Sequence, residues 1–173
     1  YGDSNPGKIS ISFGGVGRNI TENIVRLNGK VAMFSVAGDD FPGRGARKQL
    51  EGLGVDVSKV ILLNNETTAM YLSILNHNND MEVAICNMDI LDNITPKFID
   101  SNMEDIKKSK ILGLDCNLKF EILDYITTKL KDIPMFLDPV SVAKAGRVRD
   151  IIGRFHTIKP NRLEAEVISG MKI

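Results

Sequence analysis

Four short segments carry residue types that can meet a polar, phosphate-bearing ligand, and each follows a run that reads as a β-strand. The first is Gly14-Gly15-Val16-Gly17-Arg18-Asn19. Glycines let a backbone approach a ligand closely, and the free N–H groups of a helix start favour an anion or an oxygen-rich group. A tight turn that lets helix and sheet pack explains the same glycines. Asn19, on the first helical turn, can bond a sugar hydroxyl through its amide oxygen and its nitrogen. The second segment is Leu114-Asp115-Cys116-Asn117, in which Asn117 is either a helix cap or a ligand contact. In the third, Leu137-Asp138-Pro139-Val140-Ser141 with Lys144 shortly beyond, the proline holds Asp138 extended, so its carboxylate either faces a cleft or begins a turn. The fourth runs from Lys159 to Glu166. Asn161 with Glu164 three residues on spells a capping box, and a carboxylate beside a helix start can also help hold hydrated Mg²⁺ near phosphates. The four share an address, because ligands of open α/β sheets bind at the carboxyl ends of the strands.

Two nucleotide fingerprints fail on these residues. Read as a dinucleotide-binding turn, Gly15-Val16-Gly17 needs glycine or alanine where Ile20 stands, and no acidic residue is suitably placed after the next strand. No Gly-Lys-Ser/Thr follows the glycines, so there is no Walker A loop.

The elements that must position these groups follow from hydrophobic spacing. Ile9, Ile11 and Phe13 alternate with Ser10 and Ser12, which predicts a half-buried strand. Ile20, Ile24 and Leu27 stripe a helix of about three turns closed by Asn28-Gly29. Lys30 to Val36 reads as a buried strand, Ala46, Leu50 and Leu53 as a helix ended by Gly54, and Val55 to Leu63 as extended chain. Two β-rich runs, Thr68 to Leu75 and Met81 to Cys86, joined by His77-Asn78-Asn79-Asp80, predict an antiparallel hairpin. Alternation then resumes: a helix from Thr95-Pro96, a strand at Lys110 to Leu114, a helix striped by Phe120, Leu123, Ile126 and Leu130, and a strand at Met135 to Leu137. A short helix ending at Ile151-Ile152, a strand at Phe155 to Ile158 and a helix from about Arg162 complete the series. The fold class is α/β: a mostly parallel sheet flanked by helices, with a small antiparallel layer made by the first strand and the hairpin.

Composition bounds the rest. The 173 residues suit a single domain at roughly 150 residues each, and a hydrophobic share of 43% with 25% charged residues is that of a cored protein. Basic and acidic residues balance at 22 each, so no positive field marks a nucleic-acid polymer as partner. No apolar run approaches the ~20 residues of a membrane span. Cys86 and Cys116 form no CxxC pair and read as buried free thiols in a reducing cytoplasm. His77 and His156 read as structural. The chain opens on Tyr1 and stops at Ile173 as if a strand were about to begin, which reads as part of a longer protein.

The run Gly14 to Thr21, followed by Val36-Ala37-Gly38-Asp39-Asp40-Phe41-Pro42-Gly43, resembles the ribokinase/PfkB family of carbohydrate kinases. Asn87 to Leu91, Asp138 to Ser141 and His156 to Glu166 carry the likeness across the chain, towards the family's pseudouridine-phosphorylating branch. The resemblance implies a ribokinase-like fold and phosphoryl transfer from ATP, with Mg²⁺, to a sugar or nucleoside hydroxyl, in a cleft under a β-sheet lid. That lid is expected at about 8–13 and 67–87. It implies that Gly14 and Gly15 let the lid hinge and the sugar approach, that Asn19 and Asn117 are substrate contacts, and that Asn161 and Glu164 organise the phosphates, Glu164 holding Mg²⁺ through water. Lys144 is expected at a phosphate or the substrate, and Met70, Tyr71 or Asp89 at the base. An aspartate on the family's first strand and the catalytic base of its Gly-x-Gly-Asp loop are expected outside Tyr1–Ile173, so these residues alone are expected not to catalyse. The exposed lid edges predict a homodimer.

Overall fold

The computed structural model describes residues 6–173. In chain order they form α1 (Val16–Arg26), β1 (Ala32–Gly38), α2 (Phe41–Gly52), β2 (Asp56–Leu63), β3 (Met70–Leu75) and β4 (Met81–Asn87). A 3₁₀ turn at Asp89–Asn93 leads to α3 (Pro96–Ser101), α4 (Met103–Ile106), β5 (Leu112–Asp115), α5 (Phe120–Lys129), β6 (Met135–Asp138) and α6 (Val142–Ala145). A 3₁₀ stretch at Gly146–Arg154, β7 (Thr157–Ile158) and α7 (Arg162–Ser169) follow. The strands make two parallel groups, β1-β2 and β5-β6-β7, and one antiparallel hairpin, β3-β4.

The expected α/β alternation is therefore present, and its boundaries follow local chemistry. Helix α1 stops where Asn28 turns left-handed at φ 62° and the Gly29 N–H donates back to the Ile24 carbonyl. Any side chain at Gly29 meets Ile24 at 2.6 Å, so the expected Asn-Gly stop divides its work: Asn28 takes the turn and Gly29 gives the room. Asp40 caps α2 by accepting from the Gly43 N–H, and Thr95 caps α3 by accepting from the Phe98 N–H. The hairpin turns on Asn79, at φ 64°, while Asn76 Oδ1 accepts from the N–H groups of Asn78 and Asp80.

One core joins the parallel groups. Val36 of β1 packs in the same buried cluster as Leu123 and Ile126 of α5, Met135 and Leu137 of β6, and Val148 and Ile151. Leu50, Val55, Val57 and Val60 make a second cluster between α2 and β2. No helix among the described residues is long and apolar enough to cross a membrane.

Four expectations need correction. Residues 9–13 pair with no strand: Ile9 and Ile11 are 93% and 81% exposed. Alternation selects a face but supplies no hydrogen-bonding partner, and only Phe13 is held, its ring against Gly45 of α2. The antiparallel layer is thus the hairpin alone. Cys86 is exposed rather than buried, because it sits opposite Tyr71 on a hairpin exposed along its whole length; Cys116 is fully buried as expected. The short helix around Ile151-Ile152 is 3₁₀, and the strand expected at Phe155 to Ile158 contracts to Thr157–Ile158, with the His156 ring stacked on Phe136.

Candidate active site

The site is built on the carboxyl ends of β5, β6 and β7. Asp115 ends β5, directly opposite Asp138 at the end of β6. One Asp115 oxygen accepts from the Gly17 N–H at 3.0 Å and the other from the Asn117 N–H at 2.8 Å. Burial pushes the Asp115 carboxyl above its ordinary value, the N–H groups of Asn117 and Gly17 pull it back, and the charge of Asp138 adds to the push. This carboxylate thus ties the glycine turn before α1 to the end of a strand 98 residues away.

Within that turn the glycines differ. Gly15, at φ 100°, sits where a side chain is strained, and its carbonyl accepts the Asn19 N–H. Gly14 is exposed and has open space around it. Asn19 is exposed, and its Oδ1 accepts from Arg18 Nη1 at 2.9 Å.

Past Asp138, the Val140 N–H donates to the Asp138 carboxylate while the Ser141 N–H closes onto the Pro139 carbonyl at 2.8 Å. Val140 is left at φ 69°, a strained three-residue turn for a β-branched residue. It delivers Lys144 to Asn117, whose Oδ1 accepts from Lys144 Nζ at 2.5 Å. Asn117 therefore does not cap α5, whose N-cap position is taken by Lys119 with no side-chain cap. Between Asp115 and Asn117, the Cys116 thiol is pushed up to about 11 by burial and by the Asp115 charge, so it stays protonated and unreactive at neutral pH.

At the end of β7 the expected capping box is complete. Asn161 Oδ1 accepts from the Glu164 N–H and Glu164 Oε2 from the Asn161 N–H, both at 2.9 Å. Glu164 is only 5% exposed, and its other oxygen has no protein donor among the described residues.

A second junction anchors the hairpin. Asp40 accepts from the Thr68 N–H at 2.8 Å and from Thr68 Oγ1 at 2.6 Å, and Thr68 Oγ1 in turn accepts from the Gly38 N–H. Desolvation alone raises the Asp40 carboxyl, but the Thr68 and Gly43 hydrogen bonds outweigh it and hold the group below its ordinary value. A methyl group at Gly38 or Gly43 overlaps this knot, at 2.3 Å from the Glu66 carbonyl and 2.1 Å from the Gly38 carbonyl.

Hydrogen bonds thus link α1, Asp115, Asn117 and Lys144 into one chain, and Asn161 with Glu164 into another at the end of β7. Asp89 stands apart, exposed at the start of the 3₁₀ turn after β4, and Met70 and Tyr71 are exposed on β3. Sequence reasoning chose Asn117 and passed over Asp115, Gly17 and the Asp40–Thr68 pair; Asp115 already stood at a strand end, but its link to Gly17 is a tertiary contact. A cleft of about 350 Å³ opens at the other, amino-terminal end of β1 and β2, between Ala32, Asp56 and Asp105. Its lysines, Lys59 and Lys108, are both paired with Asp105, and it is remote from these groups.

Residues 2–173 match the sequence profile of the pfkB family of carbohydrate kinases. The chain belongs to that family. It is 42% identical to the pseudouridine kinase of Escherichia coli strain K12 over 173 residues, all of this chain and 55% of that one. A carbohydrate kinase from Agrobacterium tumefaciens superposes with a TM-score of 0.87 at 26% identity, over 98% of this chain and 56% of its own. Ribokinase of Arabidopsis thaliana, solved with ribose and ATP, shares the fold, with a TM-score of 0.80 at 20% identity over 92% of this chain and 52% of its own. The chain spans about half the length of the relatives it matches. The ribokinase-like expectation for the fold is met.

The Asp40–Thr68 knot gives a test. Thr68→Val removes the hydroxyl and leaves Asp40 and the Gly38 N–H short of partners, at a cost of about 1–3 kcal/mol in urea unfolding. Because the folded-state Asp40 carboxyl titrates below its unfolded value, its contribution is complete above the unfolded value and fades as pH falls through the folded one. The stability gap between wild type and Asp40→Asn therefore narrows as the pH is taken from neutral to acid; a gap independent of pH contradicts the role given to the carboxylate.

Proposed function

We propose that the whole protein transfers the γ-phosphoryl group of ATP to a hydroxyl of a sugar or nucleoside, with pseudouridine, converted to pseudouridine 5′-phosphate, as its substrate. The observation that carries this reading is the hydrogen-bonded chain from the α1 glycine turn through Asp115 and Asn117 to Lys144, set beside the Asn161–Glu164 pair. On this reading the chain and the pair, at neighbouring strand ends, are the groups that meet the sugar and the phosphates. The 42% identity to a pseudouridine kinase supports the substrate, and the ribokinase solved with ribose and ATP supports the co-substrate.

Phosphoryl transfer asks the protein mainly to position the reactants and neutralise charge. In the proposed complex Asn19 and Asn117 hold the sugar while Gly14 and Gly15 let it approach the backbone. Lys144 brings a positive charge to the junction between the sugar and the transferred group. The hydroxyl oxygen bonds to the γ-phosphorus, the bond from that phosphorus to the β,γ-bridging oxygen breaks, and the hydroxyl proton leaves to a base. Asp115 is not that base, since both of its oxygens serve N–H groups; we assign the base to a Gly-x-Gly-Asp loop of the whole protein. The hairpin, anchored at Thr68, covers the site and excludes water, with Met70, Tyr71 or Asp89 reading the base.

The residues present fit Mg²⁺ held through water. No group of three metal-ligating side chains occurs among the described residues, and Glu164, with one oxygen in its cap, suits a hydrated ion better than a protein cage. Bound there with ATP, Mg²⁺ would neutralise phosphate charge.

The hairpin also needs a cover. Met70, Leu72, Ile74, Val83 and Ile85 share one exposed face, with Tyr71 and Leu75 on the other, and a two-stranded hairpin is marginal by itself. We assign one face to the substrate and the other to the hairpin of a second copy.

The intact protein should turn over ATP with Mg²⁺ and pseudouridine, and not with uridine, adenosine, ribose or fructose. Turnover with one of the others keeps the kinase and discards pseudouridine, and none with any points to a sugar-binding protein without transfer chemistry. Asn19→Ala is expected to raise the sugar KM at least ~10-fold, the loss of a ligand hydrogen bond. Light scattering should give twice the chain mass, and Leu72→Asp with Ile85→Asp should halve it; a monomeric wild type rejects the assigned cover.

A further inference from the structure

The amide of Asn19 is not free to present either end to a ligand. Arg18, the residue before it, has only 11% of its side chain exposed, and its guanidinium is tied from two helices. Nη2 meets Glu22 Oε2 on α1 and Gln49 Oε1 on α2, while Arg26 occupies the other Glu22 oxygen. Nη1 is left aimed at Asn19 Oδ1, 2.9 Å away. Adjacent residues on a helix do not face one another, so this contact exists because the tether folds the arginine back along the helix. A flipped amide would set its N–H₂ against the guanidinium, donor against donor.

We propose that Arg18 is the positioning residue that fixes the Asn19 amide, so that Asn19 turns its two N–H donors, rather than its oxygen, towards the ligand. The inference rests on the reading of Asn19 as a substrate contact and narrows it. The group that meets the Asn19 N–H₂ accepts, as a hydroxyl or ring oxygen does. The order of residues matters: an asparagine at this place without its arginine could turn to accept instead. Gln49 gives the device a second consequence, because the orientation of a ligand-facing amide on α1 then depends on the position of α2, whose first turn holds the hairpin through Asp40 and Thr68.

The test uses the full-length protein and two readouts. Arg18→Met keeps most of the aliphatic stem and removes the donors. With the clamp, it raises the sugar KM about 10-fold with kcat within 2-fold, and adds no further rise when combined with Asn19→Ala; an equal rise in both backgrounds shows a merely structural role and overturns the proposal. Gln49→Met, at an exposed position on α2, loosens the tether without touching the core and should raise KM about 2- to 3-fold; it serves if Arg18→Met fails to fold. Independently of catalysis, the Asn19 side-chain N–H₂ signals in ¹⁵N NMR, identified by their loss in Asn19→Asp, should shift when the donor to Oδ1 is lost in Arg18→Met, or in Gln49→Met if that variant is used. Signals that stay unmoved overturn the clamp even in an active kinase. Absence of turnover with every sugar, with the signals moving as expected, overturns the kinase reading and leaves the clamp standing.

Discussion

The Asp115 carboxylate, accepting one backbone N–H on each oxygen, is the interaction on which the site depends. It sits at the end of β5 and reaches the first turn of α1, so the glycine turn and the strand ends become one surface. The position is costly, since burial and the neighbouring Asp138 both oppose its charge. Two N–H donors meet the demand for hydrogen bonds, and neither is a side chain that could swing away. Gly17 belongs to the same solution: a Cβ there would stand 3.3 Å from the carboxylate it serves.

The other site groups are held in the same manner, by short polar ties between an element's end and its neighbour. Lys144 bonds Asn117 across from α6 to the end of β5, and the Val140 turn that sets α6 in place is itself pinned by Asp138. Asp40 does for the hairpin what Asp115 does for α1, with the difference that hydrogen bonds there prevail over desolvation. Both carboxylates thus accept backbone N–H groups from a neighbouring element, Asp40 the Thr68 hydroxyl besides.

How much of this was legible depends on the range of the contact that decides each feature. Helix stops, caps and the hairpin turn are written within a few residues, as at Asn28-Gly29, Thr95-Pro96, Asn161 with Glu164, and His77 to Asp80, and all form where the sequence puts them. The strand expected at Ile9 to Phe13 failed because its alternation is local while a strand needs a partner's edge. Cys86 was misjudged for the same reason, since an apolar run does not reveal whether anything covers it. Within the site, Asn117 stands just past a strand end, and what its side chain does instead of capping α5 is decided by Lys144, 27 residues away. Asn19 could be named from its position on the first turn, yet which end of its amide is free depended on how Gln49 and Glu22 tether Arg18.

The central claim is that the Asp115 carboxylate holds the start of α1 to the end of β5, and amide hydrogen exchange in the full-length protein measures it most directly. The Gly17 and Asn117 N–H groups should be protected in the wild type. Asp115→Asn, with one carbonyl oxygen for two donors, should speed exchange at one of them at least ~10-fold while amides in the middle of β6 keep their rates. A Gly17 N–H that exchanges in the wild type as fast as an unprotected amide would contradict the account.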